Sequence, residues 1–226
     1  MKILVLSSGG LDSTVCLYKA VKDVGKENVH ALWASYGQKH AKEFDSFIWQ
    51  VRHLGIDYNC TDLSSVFVFD SSCSLLGHGD IPKETYADQL SKTQGKPVNT
   101  YVPFRNGLFL SVASSIALQL GCGVVYYGAH ADDAAGNAYP DCTPDFIDAM
   151  NEAIKQGTAG AVRMLAPLWD LNKAGVVARG LELGMTHEEL EHTWSCYEGG
   201  DKPCGVCGTC RDRKTAFEAN NIFDII

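Results

Sequence analysis

Residues 1–13 read MKILVLSSGGLDS, and this stretch decides the fold. Residues 3–6 form a continuous apolar run, which is typical of a strand buried on both faces of a parallel sheet. A turn follows at residues 7–10, and residues 11–21 have the pattern of a helix. A glycine turn that leads into a helix presents free N–H groups and the positive end of the helix dipole. The stretch therefore predicts a phosphate site.

Four residues in and just after this turn support the predicted phosphate site. Gly9 and Gly10 lack Cβ atoms and let the backbone approach an anion closely, while the hydroxyls of Ser8 and Ser13 can donate further hydrogen bonds. The alternative is an ordinary strand–turn–helix connection in which Asp12 or Ser13 caps the helix. Two commoner phosphate loops, G-x-x-x-x-G-K-[ST] and G-x-G-x-x-G after a strand, do not occur in the sequence.

The motif Ser8-Gly-Gly-Leu-Asp-Ser13 resembles the S-G-G-x-D-S loop of the pyrophosphate-loop ATPases. That resemblance implies a Rossmann-like sheet and cleavage of ATP between the α and β phosphates, with adenylation of a substrate and release of pyrophosphate. It implies catalytic roles for Asp12 and Ser13, and Asp12 is expected to share a Mg²⁺ ion with the nucleotide. The residues expected to contact ATP here are Ser7, Ser8, Gly9, Gly10, Leu11, Asp12, Ser13 and Thr14.

The overall composition narrows the class of protein. The chain has 226 residues, of which 46% are hydrophobic, and predicts one main domain with a core. Because no apolar run reaches 18 residues, no membrane contact is expected. Nine cysteines without a secretory signal favour the reducing cytoplasm. A formal charge of −8 argues against the basic surface that nucleic-acid binding needs, so a small-molecule substrate is expected.

Strand and helix patterns alternate along the rest of the chain. Strands are expected at 29–34, 57–61, 124–127 and 162–165, and helices at 39–53, 106–120, 144–156 and 171–183. Gly121 is expected to cap the second of these four helices and Pro144 to lie in the first turn of the third, while Thr186 and Glu189 predict the capping box of one more short helix. The sum predicts an α/β domain at residues 1–190 with a doubly wound parallel sheet and ligands at the carboxyl ends of its strands. An irregular insertion at about 63–103 is expected to cover a site or contact a partner, and it favours a homodimer.

Residues 191–226 carry the second informative pattern, Cys196 followed by Cys204-x-x-Cys207-x-x-Cys210. Four thiolates in a short segment can bind Zn²⁺ tetrahedrally, and a closed shell of four sulfurs has a structural role. The alternatives are an iron–sulfur cluster, whose fourth ligand normally follows such a run, and four unligated thiols. The pattern predicts a small zinc-binding C-terminal segment packed on the main domain.

Three further stretches narrow the resemblance: Tyr36-Gly-Gln-Lys-His-x-x-Glu43, Val102-Pro-Phe-Arg-Asn106 and Tyr139-Pro-Asp-Cys142. Together with the N-terminal loop and the cysteines, they resemble the 7-cyano-7-deazaguanine synthase family of the queuosine pathway. The resemblance implies conversion of 7-carboxy-7-deazaguanine, ammonia and ATP into the 7-cyano base. The carboxylate would be adenylated and attacked by ammonia, and a second adenylation of the amide would lead to the nitrile.

The same resemblance implies roles for single residues. Tyr36, Gln38 and His40 are expected to contact the nucleotide, and Arg105 is expected to be catalytic because its planar guanidinium suits a carboxylate or phosphate. The substrate is expected to bind Arg105, Asn106, Asp133, Tyr139 and Asp141.

Several of these residues have structural alternatives. Asn106 could cap a helix, and Tyr139-Pro-Asp141 is also a plain turn sequence. His130, Asp132 and Asp133 resemble a metal or acid–base site, but residues 134–138 depart from the loop expected there. Lys39 also stands where the family pattern suggests arginine.

Two other functions are compatible with the loop. A tRNA-thiolating pyrophosphate-loop enzyme would bind tRNA or hold an iron–sulfur cluster on its cysteines. A non-catalytic sensor would bind ATP and release no pyrophosphate. No glutaminase-like arrangement fits in this length, so free ammonia is the implied nitrogen source.

Overall fold

The computed structural model describes residues 1–38, 42–69, 73–76, 80–84, 86–93, 96–198 and 200–223. Its strands are β1 (Lys2–Leu6), β2 (Val29–Ser35), β3 (Asp57–Asp62), β4 (Cys122–Tyr126) and β5 (Arg163–Leu165). They form a parallel sheet in the order β3-β2-β1-β4-β5. The first strand therefore has neighbours on both sides. The chain adds β2 and β3 on one side of β1, and then adds β4 and β5 on the other side.

Helices connect these strands and cover both faces of the sheet. They are α1 (Leu11–Val24), α2 (Lys42–Leu54), α3 (Tyr86–Thr93), α4 (Arg105–Leu120), α5 (Ala131–Ala134), α6 (Pro144–Gly157), α7 (Lys173–Glu182), α8 (His187–Glu191) and α9 (Gly208–Ala219). The predicted doubly wound α/β fold is confirmed. The start expected for the second helix, at residues 39–41, lies outside the described residues.

The packing of β1 explains the continuous apolar run. Ile3 and Val5 pack into the core under α1 and α7, whereas Leu4 faces the opposite core with residues of α4 and α6. All three side chains have no exposed surface. A strand covered on both faces loses the alternation of polar and apolar residues.

Local signals at the ends of helices are also confirmed. Gly121 follows α4 with a φ of +67°, as its lack of a Cβ atom allows, and its N–H donates to the carbonyls of Ala117 and Leu118. Thr186 and Glu189 form the capping box of α8. Thr143 caps α6, in which Pro144 occupies the first turn.

Two regions contain more regular structure than the sequence pattern indicates. The insertion carries α3, and the C-terminal segment carries α9. Ala216, Phe217 and Ile222 of this segment lie in the same core as side chains of α1, so the segment shares the packing of the sheet. Among the described helices, none combines the length and the apolar character needed to cross a membrane.

Gly9 is the tightest point of the loop after β1. Its φ is +90°, and an added Cβ atom would collide with the backbone carbonyl of Glu43 and the backbone nitrogen of Phe47 in α2. Neither backbone atom can move aside as a flexible side chain would. Glycine is therefore required by helix packing as well as by the turn.

Replacing Gly9 by alanine is expected to lower the free energy of unfolding by about 2 kcal/mol or more, because it adds both backbone strain and a clash. Urea denaturation measures the change. Gly157→Ala is the matched control, since its Cβ atom meets nothing within 4 Å. Equal midpoints for the two variants would contradict the packing described here.

Candidate functional site

A cavity opens beside the loop between β1 and α1, where β2 and β4 also end. Of the residues expected to hold the nucleotide, those bordering it are Ser7, Ser8, Gly10, Leu11, Asp12, Ser13, Tyr36 and Gln38. Gly9 and Thr14 do not border the cavity, and His40 lies outside the described residues. The predicted loop thus forms one wall of a concave site at the carboxyl ends of the strands.

Serine side chains hold the shape of this loop. Ser8 Oγ accepts a hydrogen bond from the Gly10 N–H at 3.1 Å, and the Ser8 N–H donates to Ser13 Oγ at 3.1 Å. The Ser13 hydroxyl donates to the Gly10 carbonyl at 3.1 Å. The two hydroxyl oxygens lie 3.3 Å apart, so one anion can contact both of them.

The N-terminus of α1 is open to a ligand. Gly10 occupies the N-cap position and offers no side-chain cap, so neither Asp12 nor Ser13 serves as the cap. Ser7 is 2% exposed, and its hydroxyl has no hydrogen-bond partner within the described ranges. An uncapped helix N-terminus beside an unpaired hydroxyl fits the oxygens of a phosphate.

Asp12 is paired with a lysine from the other end of the domain. Lys173 Nζ lies 2.9 and 2.7 Å from the two carboxylate oxygens of Asp12. His130 Nε2 lies 3.3 Å from Lys173 Nζ and 3.7 Å from Asp12 Oδ1. Burial alone would raise the pKa of Asp12, but Lys173 and His130 outweigh it and lower that pKa. The carboxylate is therefore ionised.

Three more carboxylates surround this pair. Asp133 Oδ2 lies 3.5 Å from His130 Nε2, and Asp132 Oδ2 accepts a hydrogen bond from the backbone N–H of Lys173 at 2.8 Å. Asp212 of α9 borders the same part of the cavity. Burial raises the pKa of both Asp133 and Asp212, although Lys173 opposes the rise. This end of the cavity attracts cations and offers the oxygen ligands that Mg²⁺ prefers.

Arg105 borders the cavity at the start of α4. Its guanidinium carbon lies 4.9 Å from the centre of the Tyr36 ring and 6.0 Å from that of Phe109. Burial disfavours its charge, but Tyr36 and Asp141 outweigh burial and raise the pKa of Arg105. Within the described part of the chain, no carboxylate forms an ion pair with this cation. The aromatic rings hold the guanidinium, and its donors suit an anionic ligand.

Glu43 borders the cavity from the first turn of α2. Burial raises its pKa from the ordinary 4.5 to about 7, although Arg105 lowers it. The side chain is therefore close to half-protonated at neutral pH. In its ionised form it competes with a ligand for Arg105.

Asp141 is buried beside the start of α4. It is 3% exposed and does not border the cavity. Its Oδ2 accepts a hydrogen bond from the Asn106 N–H at 2.9 Å, and its carbonyl accepts one from the Tyr127 hydroxyl at 3.1 Å. A carboxylate at a helix N-terminus satisfies a free N–H group and complements the dipole. Asp141 therefore fixes the start of α4 and with it Arg105.

Three neighbours of this cap do border the cavity: Asn106, Tyr139 and Cys142. Asn106 is not the cap of α4, because Phe104 holds that position. Its side-chain amide lies 3.1 Å from Cys142 Sγ. The Tyr139 hydroxyl lies 2.6 Å from Thr100 Oγ1. Burial raises the pKa of Cys142 well above its usual value, which keeps this thiol neutral and weakly nucleophilic.

The four cysteines of the C-terminal segment come together. Their sulfur atoms all lie within 4.8 Å of one another, and the residues are Cys196, Cys204, Cys207 and Cys210. Four ligands of one zinc ion, with Zn–S bonds of about 2.3 Å, stand about 3.8 Å apart. The arrangement thus fits one shared metal ion. It fits an iron–sulfur cluster less well, because the cysteines of a cluster bind different iron atoms.

Residues within two positions of these cysteines form part of the cavity wall. They are Ser195, Tyr197, Thr209 and Asp212. Thr209 Oγ1 also lies 3.3 Å from the sulfur of Cys207. The metal-binding cluster and the cavity therefore share one stretch of backbone.

Hydrogen bonds of Arg213 and Trp194 help to attach this segment to the rest of the domain. The guanidinium of Arg213, which is 3% exposed, donates to the carbonyls of Thr193 and Leu190 at 3.0 Å each. The Trp194 N–H donates to the Gly9 carbonyl at 3.0 Å. The segment is thus bonded directly to the loop after β1.

Sequence reasoning missed Lys173, Glu43 as a buried group, and Asp212. One weak signal was available for Lys173, which is the first residue of α7. A lysine is unfavourable at a helix N-terminus because of the dipole, so its presence there indicates another partner. Asp212 lies two residues after Cys210 and had no signal of its own.

Comparisons with known proteins agree over the whole chain. A family model described as "Queuosine biosynthesis protein QueC" matches residues 2–221. The 7-cyano-7-deazaguanine synthase 1 of Colwellia psychrerythraea is 38% identical over 225 residues, which are 100% of this chain and 97% of that relative. The 7-cyano-7-deazaguanine synthase of Archaeoglobus fulgidus is 40% identical over 230 residues, covering 99% of this chain and 89% of that relative.

Solved structures support the fold. The U34-tRNA thiolase NcsA from Methanococcus maripaludis, solved with its [4Fe-4S] cluster, has a TM-score of 0.52 and 15% identity, covering 97% of this chain and 66% of its own. The NH3-dependent NAD synthetase from Campylobacter jejuni, in complex with a nitrate ion, has a TM-score of 0.51 and 14% identity, covering 84% and 67%. At these identities the likeness is one of fold alone.

Replacing Cys207 by alanine is expected to release the bound metal and lower the thermal unfolding midpoint by about 5 °C or more, because metal binding contributes to folding. Metal content and the midpoint are both measured. Cys60→Ala, at an exposed cysteine, is the control and should change neither. A Cys207→Ala protein that retains its metal would contradict the four-sulfur site.

The raised pKa of Glu43 has a consequence for the pH dependence of stability. Between pH 4.5 and about 7 the folded protein holds a proton on Glu43 that the unfolded chain releases, so the contribution of Glu43 to stability falls as pH rises through this window. Glutamine does not titrate, so between pH 4.5 and about 7 the free energy of unfolding of Glu43→Gln should fall less than that of the wild type. Urea titrations at several pH values test it, and parallel curves for the two proteins would refute the burial of Glu43.

Proposed function

Since the chain belongs to the queuosine biosynthesis protein QueC family, we propose that it makes 7-cyano-7-deazaguanine from 7-carboxy-7-deazaguanine, ammonia and ATP. The relatives that carry the name 7-cyano-7-deazaguanine synthase align with nearly the full length of this chain. Both the fold and the borders of the cavity suit a reaction that brings a nucleotide and a small acid together.

The loop after β1 holds the phosphates of ATP in this proposal. The open N-terminus of α1 and the hydroxyls of Ser7, Ser8 and Ser13 donate to phosphate oxygens. Thr14 and Gly9 shape the loop from behind, and Tyr36 and Gln38 border the space beside it. The arrangement orients the α phosphate toward the substrate, and the β and γ phosphates leave together as pyrophosphate.

The position of Arg105 supports the proposed binding of the substrate acid. It is a cation on the cavity wall that stacks on Tyr36 and has no carboxylate partner in the described ranges. A half-buried charge that forms no ion pair is costly, and the carboxylate of a ligand can supply one. Arg105 therefore binds the substrate carboxylate and holds it against the α phosphate. Asn106, Tyr139 and Asp133 border the same space, whereas Asp141 acts as a positioning residue for Arg105.

Activation is needed because a carboxylate oxygen is a poor leaving group. Adenylation converts it into the oxygen of AMP, which ammonia can displace to form an amide. A second adenylation, on the amide oxygen, lets that oxygen leave as AMP and gives the nitrile. Arg105 and the loop serve both rounds, since acid and amide occupy the same position in the cavity.

Two metals complete the proposal. Asp12, with Asp133 beside it, would hold Mg²⁺, which neutralises phosphate charge. The four cysteines would hold Zn²⁺ as a structural ion, which keeps the wall from Ser195 to Asp212 in place. The homodimer stays a prediction, which the exposed side chains of Val68 and Phe69 in the insertion favour, at 68% and 91% exposure.

Purified protein incubated with 7-carboxy-7-deazaguanine, ammonium and Mg-ATP is expected to release pyrophosphate and form the nitrile, seen by mass spectrometry. Arg105→Gln should lower kcat/KM for the acid by about a hundredfold, since it removes a desolvated charge pair. The affinity for ATP should change much less.

Arg52→Gln is the control, because Arg52 is an exposed arginine of α2. Binding of ATP without any acid-dependent pyrophosphate would refute the synthase and favour a sensor. Incorporation of sulfur into tRNA in place of nitrile formation would favour the thiolating class.

A further inference from the structure

Lys173 and Asp12 form a closed pair at the position where a metal-bound nucleotide would lie. Lys173 Nζ contacts both oxygens of Asp12, at 2.9 and 2.7 Å. The two side chains are only 17% and 23% exposed, so water screens their attraction poorly. Both oxygens of Asp12 are in contact with the ammonium group while the pair stands.

We propose that Lys173 is an exchangeable counterion, which holds Asp12 in the free protein and moves to the phosphates when ATP binds. This inference rests on the proposed function. It makes the binding of nucleotide and of divalent cation cooperative, because the same movement of one side chain creates a phosphate contact and frees a carboxylate. The exchange is reciprocal, as any coupling between two ligands must be.

The alternative, a metal ion bound beside an unmoved Lys173, is electrostatically unfavourable. A divalent ion on an Asp12 oxygen would stand within a few ångströms of the ammonium group, in a cavity with little screening. The surrounding carboxylates, Asp133 and Asp212, interact with Lys173 as well. These carboxylates therefore stabilise either the Lys173 ammonium or a divalent ion at this position. They do not remove the repulsion between the two cations.

The local structure lets the Lys173 side chain move without its backbone. Its N–H is held by Asp132 at 2.8 Å, and Asn172 caps α7 through the Gly175 N–H at 2.8 Å. Beyond Asp12, the Lys173 ammonium contacts His130 Nε2 at 3.3 Å. Since Asp12 is the second residue of α1, phosphates at the N-terminus of α1 would lie beside the ammonium group.

The exchange predicts opposite effects of two substitutions. Without nucleotide, Mn²⁺ should bind Lys173→Met about tenfold or more tightly than the wild type, because Asp12 is free. In metal-free buffer, α,β-methylene-ATP should bind Asp12→Asn more tightly than the wild type, because Lys173 is no longer held by Asp12. The same analogue should bind Lys173→Met more weakly.

Mn²⁺ binding is measured by electron paramagnetic resonance, and binding of the analogue by calorimetry in chelating-resin-treated buffer. Lys173→Arg keeps the charge and should bind Mn²⁺ as weakly as the wild type. Lys155→Met removes an exposed lysine that pairs with Glu152 and controls for net charge. The double variant Asp12→Asn/Lys173→Met should lose the Mn²⁺ site gained by the single variant, and it leaves no unpaired charge.

The counterion exchange is overturned if the wild type and Lys173→Met bind Mn²⁺ equally, or if Asp12→Asn fails to tighten binding of the analogue. A failure of the proposed function looks different. In that case the wild type releases no acid-dependent pyrophosphate, while the Mn²⁺ comparison, which uses no nucleotide, still decides whether Lys173 blocks Asp12.

Discussion

The close packing of Gly9 is the constraint on which the site depends. Its backbone touches that of Glu43 and Phe47 in α2, and its carbonyl accepts a hydrogen bond from the Trp194 N–H. One residue thus joins the loop after β1, the helix that carries Glu43 and the segment that carries the cysteines. These contacts involve backbone atoms, so they leave the side chains around the cavity free for ligands.

Three buried or half-buried cations show how the cost of a desolvated charge separates structure from function. Arg213 is satisfied by the carbonyls of Thr193 and Leu190, and it has a structural role. Lys173 is satisfied by an acid inside the cavity, where a ligand can replace that acid. Arg105 rests on aromatic rings, and in the proposed function its charge binds the substrate carboxylate. Each of these cations has lost part of its hydration, and the group that compensates for this loss differs among the three.

The sequence predicted elements whose signals are local, such as the buried run of β1, the loop at residues 7–13 and the capping box of α8. It also grouped the cysteines correctly, because their spacing is short. It could not predict the pairing of Asp12 with Lys173, which lie far apart in the chain and meet where α7 packs against α1. The Tyr-Pro-Asp stretch was ambiguous for another reason. Asp141 accepts a hydrogen bond from the N-terminus of α4, and a carboxylate in that role has the same sequence pattern as one that binds a base.

The position of the cysteines joins the stability of the C-terminal segment to the chemistry of the cavity. Ser195 and Tyr197 flank one metal ligand, and Thr209 and Asp212 flank another, yet all four border the cavity. A segment this short has few apolar side chains of its own, so a bound ion is what can hold its backbone rigid. Rigid backbone is in turn what keeps the carboxylate of Asp212 near Lys173. In the proposed function, the metal cluster would therefore act on the reaction through geometry, since a closed shell of four sulfurs leaves no position for a substrate.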